Sequence, residues 1–224
     1  MWDYGRSNNE DEVAMPSPII IVDYNTSNIK SVNNMLRKIG VKSHISSDPN
    51  EVRKAEKVIL PGVGAFDTAM RNLEIMHLPQ ALNEAVIKKG VPFLGICLGM
   101  QILANSSEEG ALPGLGWIQG RVQKFNFDIL NSDVPKVPHM GWNYVSPRDN
   151  DHPLWPNIPR PMRFYFVHSY HLVCEFEENI AAVTSYGGDF VCAVAKDNIW
   201  GVQFHPEKSH KYGMQLLRNF VEYV

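Results

Sequence analysis

Short runs of apolar residues alternate with segments of helical periodicity over the first half of this chain. The apolar runs are Ile19–Val22, Val58–Leu60 and Val91–Ile96, and they are typical of strands covered on both faces. Between them, Ile29–Ile39 and the segments 66–76 and 79–89 place apolar residues three and four positions apart, as amphipathic helices do. A further strand is expected at 42–45 and a helix from Leu98 onward. The alternation predicts an α/β fold on a mostly parallel sheet.

The second half of the chain changes to short β-rich pieces among proline-rich loops. These pieces are Gly120–Phe127, Arg163–Val167, Ala181–Ser185, Val191–Ala195 and Trp200–Phe204. No clear linker precedes them, so we expect them to add antiparallel strands to the same sheet, and Gly213–Val221 returns to helical spacing. The predicted fold is a mostly parallel central sheet flanked by helices, with added antiparallel strands, over residues 18–224.

Composition is that of an ordinary globular protein and argues against several classes of function. The 224 residues are 44% hydrophobic and 20% charged, with a net charge of −3 and no basic cluster, which argues against a nucleic-acid partner. No apolar run approaches the length that spans a membrane. Three widely spaced cysteines without a CxxC pair are typical of a reduced, cytoplasmic protein. Residues 1–17 are polar and acidic, so we expect a disordered leader and no secretory signal.

A cysteine stands where the strand Val91–Ile96 meets the helix predicted after it. Cys97 has a glycine two residues away on each side, Gly95 and Gly99, which would permit a strained turn and leave room for a substrate. A helix N-terminus stabilises a thiolate, and the amide of Leu98 would face a developing oxyanion. Cys97 is therefore a candidate nucleophile. A buried cysteine that serves only as a small apolar residue fits the same pattern.

Among the eight histidines, His205 has the sequence context of a general base. It follows the apolar strand 199–204, at the edge where parallel sheets carry their sites, and Glu207 stands two residues later. A carboxylate there could bind one imidazole nitrogen and fix the tautomer. The alternative is a strand-end histidine beside a glutamate that caps a helix.

A glycine-rich turn, Pro61–Gly64, follows another buried strand. Its glycines free the backbone to direct an N–H toward an oxyanion, which would complete a two-donor hole with Leu98, although a simple turn fits equally well. No pair of Cys, His or carboxylate residues has metal-ligand spacing, so neither a metal nor a cofactor is predicted. His139, His168 and His171 fall in aromatic-rich segments that we predict to be loops.

Together these three pieces resemble the class I, triad-type glutamine amidotransferases. PGVGAF (61–66) is similar to the family's oxyanion strand, GICLGMQ (95–101) to its nucleophile elbow and QFHPE (203–207) to its His–Glu segment. The order and spacing also match, so the resemblance covers nearly everything after residue 18. Further segments resemble one branch, the glutaminase subunits of imidazole glycerol phosphate synthase. They are VPHMGWN (137–143), FYFVHSY (164–170), SEEG (107–110) and HPEKSH (205–210).

The resemblance implies hydrolysis of L-glutamine to glutamate and ammonia through a thioester on Cys97, with His205 as the base and Glu207 orienting it. It implies an oxyanion hole from the amides of Val63 and Leu98. It assigns glutamine binding to Gly64, Gln101, Glu109, His168, Ser169 and Tyr170. It also implies a heterodimer with a separate cyclase subunit, a (β/α)8 barrel, that receives the ammonia. The residues expected to face that subunit are Asn28, Trp142, Tyr165 and Lys208.

One loop departs from the family pattern and leaves the ammonia acceptor open. The family's Asp-Tyr with two glycines before Asn is here Asp23–Asn28, with Asn25 and Ser27 in place of the glycines. An alternative acceptor is a sugar amidotransferase of surface-polysaccharide synthesis, served by the same glutaminase chemistry. Alternatives of other classes are a non-catalytic amidotransferase-like subunit that binds glutamine or a partner, and a cysteine hydrolase such as a peptidase.

Overall fold

The computed structural model describes residues 19–25, 28–127 and 135–223. The predicted leader 1–17 and Ser27 lie outside these residues. The helices are α1 (Ile29–Lys38), α2 (Pro49–Arg53), α3 (Phe66–Ile75), α4 (Leu78–Leu82, continued as a π-helix over Asn83–Lys88), α5 (Leu98–Gln101) and α6 (His210–Tyr223).

The strands are short, and most belong to one large sheet. They are β1 (Ile19–Val22), β2 (His44–Ser46), β3 (Lys57–Gly62), β4 (Phe93–Cys97), β5 (Ser106–Ser107), β6 (Gly120–Lys124), β7 (His139–Tyr144), β8 (Ser146–Pro147), β9 (Arg163–His168), β10 (Tyr170–Cys174), β11 (Ile180–Ser185), β12 (Asp189–Lys196) and β13 (Ile199–Val202). The large sheet has the order β2-β1-β3-β4-β13-β12-β10-β6-β5, with β11 and β8 joined beside β12.

The parallel half of this sheet brings three loops to one edge. Strands β3, β4 and β13 are neighbours and run parallel, so their carboxyl ends meet. In register, Gly62 at the end of β3 stands beside Cys97 at the end of β4. The segment that contains His205 follows β13 directly. The predicted mostly parallel α/β sheet is confirmed.

Burial on both faces of the sheet explains the apolar runs. Ile19 and Ile21 of β1 pack into the hydrophobic cluster on one face, and Ile20 and Val22 into the cluster on the other. All four are at most 2% exposed. A strand covered by helices on both sides cannot alternate polar with apolar residues, so its sequence becomes a continuous hydrophobic run.

The prediction that the later β-rich pieces all join one sheet is wrong for Arg163–Val167, and strand β7 was not predicted. Strands β7 and β9 form a separate antiparallel pair, in which His139 faces His168 and Trp142 faces Tyr165. Strands β6, β12 and β11 do extend the large sheet as antiparallel additions, as expected. Strand β10 joins them without having been predicted, and β13 pairs antiparallel with β12 but parallel with β4. Pairing between segments about 25 residues apart leaves no local signature in the sequence.

Several local expectations also need correction. His139, His168 and His171 lie in strands β7, β9 and β10 and not in loops. The helix after Cys97 is a single turn of four residues, and α2 was not expected at all. Among the described residues, no helix is long and apolar enough to cross a membrane.

Candidate active site

Cys97 carries the backbone strain of the strand-to-helix turn. It ends β4, precedes α5 and has φ 55° and ψ −109°, a conformation that residues with a side chain rarely adopt. Gly95 and Gly99 were expected to adopt that geometry, but neither has a positive φ. A Cβ atom on Gly95 would overlap the carbonyl of Gly99, and one on Gly99 would overlap that of Leu60. The glycines therefore permit close backbone packing, while Cys97 itself takes the strained angle.

His205 and Glu207 form a buried pair beside this cysteine. The Nδ1 atom of His205 lies 2.7 Å from Oε1 of Glu207, and the two side chains are 1% and 0% exposed. Burial lowers the pKa of His205, but interactions with Cys97 and Glu207 outweigh this effect and raise it above the ordinary value of 6.5. No described residue makes a hydrogen bond of normal geometry to Nε2, which leaves this nitrogen free for the thiol proton.

Asn28 and Ser209 hold this pair in place. The Asn28 amide donates to Oε1 of Glu207 and lies 3.5 Å from Nδ1 of His205. The Ser209 hydroxyl donates to the carbonyl of His205 at 2.6 Å and accepts from the amide of Tyr165 at 2.9 Å. Asn28 was assigned to the partner surface. Its side chain touches the Glu207 carboxylate, and its role at an interface stays a prediction.

A cavity of about 310 Å³ opens next to Cys97, and the residues predicted for the oxyanion hole and for glutamine binding line it. It is lined by Val63, Gly64, Cys97, Leu98, Gln101, Glu109, Val167, His168, Ser169 and Tyr170. Only Val167 was not among the predicted site residues. A larger cleft of about 710 Å³ lies near Phe125 and contains none of the predicted site residues, so chemistry and not size marks the candidate site.

The glycine-rich turn after β3 lies on one side of this cavity. Gly64 has φ 114°, a backbone conformation that favours glycine, which explains this residue in the turn. Val63 and Leu98 both line the cavity with Cys97, where backbone amides could meet an oxyanion. The assignment of these two amides to an oxyanion hole stays a prediction.

Gln203 is a site residue that sequence reasoning missed. It is fully buried, and its amide nitrogen lies 3.7 Å from Sγ of Cys97 while its carbonyl accepts from Nε2 of Gln101 at 3.0 Å. The same Gln101 nitrogen donates to the carbonyl of Tyr170 at 2.9 Å. Both Gln101 amide hydrogens are thus in use, so only its Oε1 remains for a ligand donor. The available signal was a glutamine in the otherwise apolar run 199–204, directly after strand β13.

Glu109 is anchored by the first turn of helix α3. Its Oε2 accepts from the amide of Phe66 at 2.9 Å, which satisfies one free N–H of that helix. Since Glu109 also lines the cavity, its second oxygen can accept from a cationic ligand group there. The cavity is thus lined by a thiol and a carboxylate, and the buried His205–Glu207 pair lies beside the thiol.

Comparison with known proteins agrees with this geometry. The family model described as glutamine amidotransferase class-I matches residues 20–224. The chain belongs to this family. It is 50% identical to the imidazole glycerol phosphate synthase subunit HisH 2 of Methanococcus maripaludis, over 91% of this chain and 98% of that protein. It is 49% identical to subunit HisH of Leptospira interrogans, over 89% and 97%.

Two further comparisons concern a second relative named HisH 2 and the fold. The Pseudomonas aeruginosa subunit HisH 2 is 50% identical over 92% of this chain and all of that protein. The solved structure of PurLQS from Thermotoga maritima has a TM-score of 0.68 at 18% identity and covers 93% of this chain and 99% of its own. At that identity the likeness shows a shared fold alone.

The residues that this class-I amidotransferase was predicted to present to a partner lie near the triad. Trp142 on β7 is 43% exposed and stacks on His210 with ring centroids 5.7 Å apart. The Lys208 ammonium lies 5.8 Å from the ring centre of the half-buried Tyr165. Lys208 follows Glu207 directly, so the surface around Trp142, Tyr165 and Lys208 borders the His205–Glu207 pair. Its contact with another subunit stays a prediction.

Proposed function

We propose that this chain is the glutaminase subunit of an imidazole glycerol phosphate synthase. It hydrolyses L-glutamine to glutamate and ammonia and passes the ammonia to a separate cyclase subunit. The observation that carries the proposal is the buried Cys97–His205–Glu207 set, whose cysteine lines a small polar cavity. The HisH relatives are 50% and 49% identical to this chain over nearly their full lengths, which supports the same assignment.

The first stage of the reaction forms a thioester. His205 takes the thiol proton through Nε2, and the Cys97 thiolate attacks the side-chain carbonyl carbon of glutamine. The oxygen becomes an oxyanion, for which the amides of Val63 and Leu98 are the proposed donors. The intermediate collapses as the carbon–nitrogen bond breaks, and the imidazolium returns its proton to the leaving nitrogen. Ammonia departs, and a glutamyl thioester remains.

The second stage releases glutamate with the same groups. His205 removes a proton from water, the resulting hydroxide attacks the thioester, and a second oxyanion forms in the same position. Collapse breaks the carbon–sulfur bond and restores the thiol. Glu207 stabilises the imidazolium in both stages and keeps Nδ1 protonated, so Nε2 always faces the reacting atoms.

Substrate recognition follows from the polar groups around the cavity. The remaining Glu109 oxygen suits the α-ammonium group of glutamine, because a carboxylate accepts strongly from a cation. Oε1 of Gln101 and the hydroxyl of Ser169 offer further polar groups, whereas the carbonyl of Tyr170 already accepts from Gln101 and His168. The cavity of about 310 Å³ lies at the small end of ligand sites, as a single amino acid requires.

A partner subunit is expected to cover the mouth of this site. Met140, Trp142 and Tyr144 alternate along the outer face of β7 and are 62%, 43% and 59% exposed. An exposed apolar strip of this kind is typical of a protein interface. A cyclase docked there, next to Lys208 and Tyr165, would receive ammonia before it met solvent.

The ammonia acceptor has a second candidate. The relatives from Methanococcus maripaludis and Pseudomonas aeruginosa are both named HisH 2, and Asn25 stands where the family loop has glycine, with φ 63°. These observations support a second proposal, in which the chain is a paralogue that supplies ammonia to a sugar amidotransferase. Glutamine turnover with each purified acceptor and its substrate distinguishes them, since only the true acceptor should accelerate glutamate release.

The glutaminase itself is tested by substitution of the nucleophile. Cys97→Ala should abolish glutamate release while leaving folding and partner binding nearly unchanged. Retained hydrolysis in Cys97→Ala would contradict the catalytic assignment. Turnover of peptides or esters by the isolated chain, in place of glutamine, would favour a cysteine hydrolase.

A further inference from the structure

A chain of hydrogen bonds joins the two-stranded sheet to the candidate glutamine pocket. The amide nitrogen of Asn143 lies 3.3 Å from Nε2 of His139. Nδ1 of His139 lies 3.2 Å from Nε2 of His168, and Nδ1 of His168 lies 2.8 Å from the carbonyl oxygen of Tyr170. His139 and His168 are directly opposed across β7 and β9. The chain thus begins on β7 and ends in the cavity wall.

The two ends of this chain fix where its protons lie. The carbonyl of Tyr170 can only accept, so Nδ1 of His168 must carry a hydrogen. At the other end the Asn143 amide also donates to the carbonyl of Ser185 at 2.9 Å, so its second hydrogen is directed to Nε2 of His139. His139 must then donate through Nδ1 to an unprotonated Nε2 of His168. Both rings are neutral and carry their hydrogen on Nδ1.

The surroundings favour this neutral state. His139 and His168 are 3% and 7% exposed, and the His139 ring is stacked between Phe166 and Tyr186 at centroid distances of 4.8 and 4.0 Å. Burial lowers the pKa of His139 to about 4 and that of His168 to about 3. Neither ring accepts a proton near neutral pH, so the chain persists under physiological conditions.

The chain continues from Tyr170 into the catalytic groups. The Tyr170 carbonyl also accepts from Gln101, which bonds to Gln203, whose amide approaches the Cys97 sulfur. On the opposite strand face from His139, β7 carries the exposed Trp142. One strand therefore contributes both the apolar surface and the buried histidine that contacts the pocket wall.

We propose that His139 is a positioning residue for the glutamine pocket. Held by Asn143, it fixes the ring of His168 and through it the corner Val167–Tyr170, which forms one wall of the cavity. This inference rests on the proposed glutaminase function, because it assigns a role within that site. It also gives β7 a direct mechanical contact with the pocket, so a partner that displaces this strand alters glutamine binding.

The test compares two histidine-to-phenylalanine variants in one aromatic cluster. His139→Phe keeps a stacking ring and removes both hydrogen bonds. His171→Phe is the matched control, because His171 stacks on Phe125 at 4.7 Å and its Nδ1 makes no hydrogen bond to any described residue. Inactivation of Cys97 by acivicin, an electrophilic glutamine analogue, gives a half-saturating concentration and a limiting rate. Alkylation by iodoacetamide does not depend on binding at the pocket wall, so its rate reports the reactivity of the Cys97 thiol alone.

The expected result separates binding from reactivity. His139→Phe should raise the half-saturating acivicin concentration about tenfold, because His168 loses the hydrogen bond that holds its ring in the pocket wall. Its limiting rate and its iodoacetamide reaction should stay within about twofold of the parent, as for loss of binding alone. His171→Phe should match the parent in all three. An unchanged half-saturating concentration in His139→Phe, or an equal rise in both variants, overturns the inference.

A measurement on the unaltered protein tests the inference if His139→Phe does not fold. Nitrogen-15 and carbon-13 shifts of the histidine rings at pH 7 report the tautomer of each ring. Neutral His139 and His168, both protonated on Nδ1, support the proposal, and any other state of either ring overturns it. If the parent protein never reacts saturably with acivicin, the proposed glutaminase function fails instead, whatever the tautomers are.

Discussion

Nδ1 of His205 lies 2.7 Å from Oε1 of Glu207, in a pair whose side chains are almost completely removed from solvent. Such a contact stabilises the protonated ring, because the carboxylate offsets the cost of burying the imidazolium. The Asn28 amide donates to the same carboxylate oxygen. The Glu207 carboxylate is thus held between the His205 ring and the Asn28 amide.

Replacement of Glu207 by Gln removes the negative charge and keeps the shape. We expect the turnover of glutamine to fall by about a hundredfold or more, because the imidazolium loses its counter-charge and its tautomer is no longer fixed. The rate of Cys97 alkylation at pH 7 should also fall. Lys208→Gln changes a neighbouring charge outside the pair and serves as the control in the isolated chain. Equal activity of Glu207→Gln and the parent would remove Glu207 from the mechanism.

Gln203 is expected to act on substrate affinity through Gln101. Gln203→Met keeps the volume of the buried side chain but removes the acceptor for Gln101 and the donor toward Cys97. We expect KM for glutamine to rise about tenfold, the effect of losing the hydrogen bond that orients Gln101. Steady-state kinetics with the acceptor subunit present measure this change. A lower kcat at unchanged KM would instead assign Gln203 to the reacting thiol.

Two glycines with opposite surroundings, Gly99 and Gly40, test the backbone packing beside Cys97. Gly99→Ala should lower the free energy of unfolding by about 3 kcal/mol or more, because the new methyl group would meet the backbone carbonyl of Leu60. Gly40→Ala has open space and a φ of 83°, so its cost should be about 1 kcal/mol from backbone strain alone. Urea unfolding of both variants measures the difference. Equal costs would show that the β3–α5 contact tolerates a side chain.

Acid should destabilise the protein through the histidine pair in the second sheet. The folded-state pKa of His139 is lowered to about 4 and that of His168 to about 3, against 6.5 for a free ring. The unfolded chain therefore binds protons first as the pH falls below 6.5. As the pH falls from 6.5 to 4.5, each ring should lower the free energy of unfolding by about 2 kcal/mol.

The pH dependence of His139→Phe isolates this effect. Urea unfolding at several pH values should show a shallower loss of stability in that variant than in the parent. His205 should have the opposite pH dependence. Its pKa is raised in the folded state, so its contribution to the free energy of unfolding is lost as the pH rises through that folded-state pKa. Identical acid slopes for the parent and His139→Phe would contradict the buried neutral state of this ring.

The sequence predicted the triad because each member ends or follows a strand. Strand ends of a parallel sheet converge, so Cys97, His205 and the turn at Val63 could be brought together without knowledge of side-chain contacts. The same reasoning could not find Gln203, since a buried polar residue directly after a strand has no periodic signature. Its role depends on contacts with Gln101 and Cys97, which are about 100 residues away in the chain.

The second sheet was missed for a different physical reason. Strand β7 exposes apolar residues such as Met140 and Trp142 and buries His139, which inverts the usual alternation of a half-buried strand. A pattern that exposes its apolar face resembles an aromatic-rich loop when it is read locally. This inversion is also what suggests a partner on that face.

The central assignment is that Cys97 is a nucleophile poised against glutamine, and its labelling tests this most directly. The pKa values of Cys174 and Cys192 are raised by burial, the first to about 11, so both thiols should be inert near neutral pH. Intact-mass and peptide analysis after acivicin treatment, with the acceptor subunit present, should find one adduct per chain, on Cys97, with L-glutamine protecting it. An unlabelled Cys97, or an adduct on Cys174 or Cys192 that glutamine does not prevent, would contradict the account.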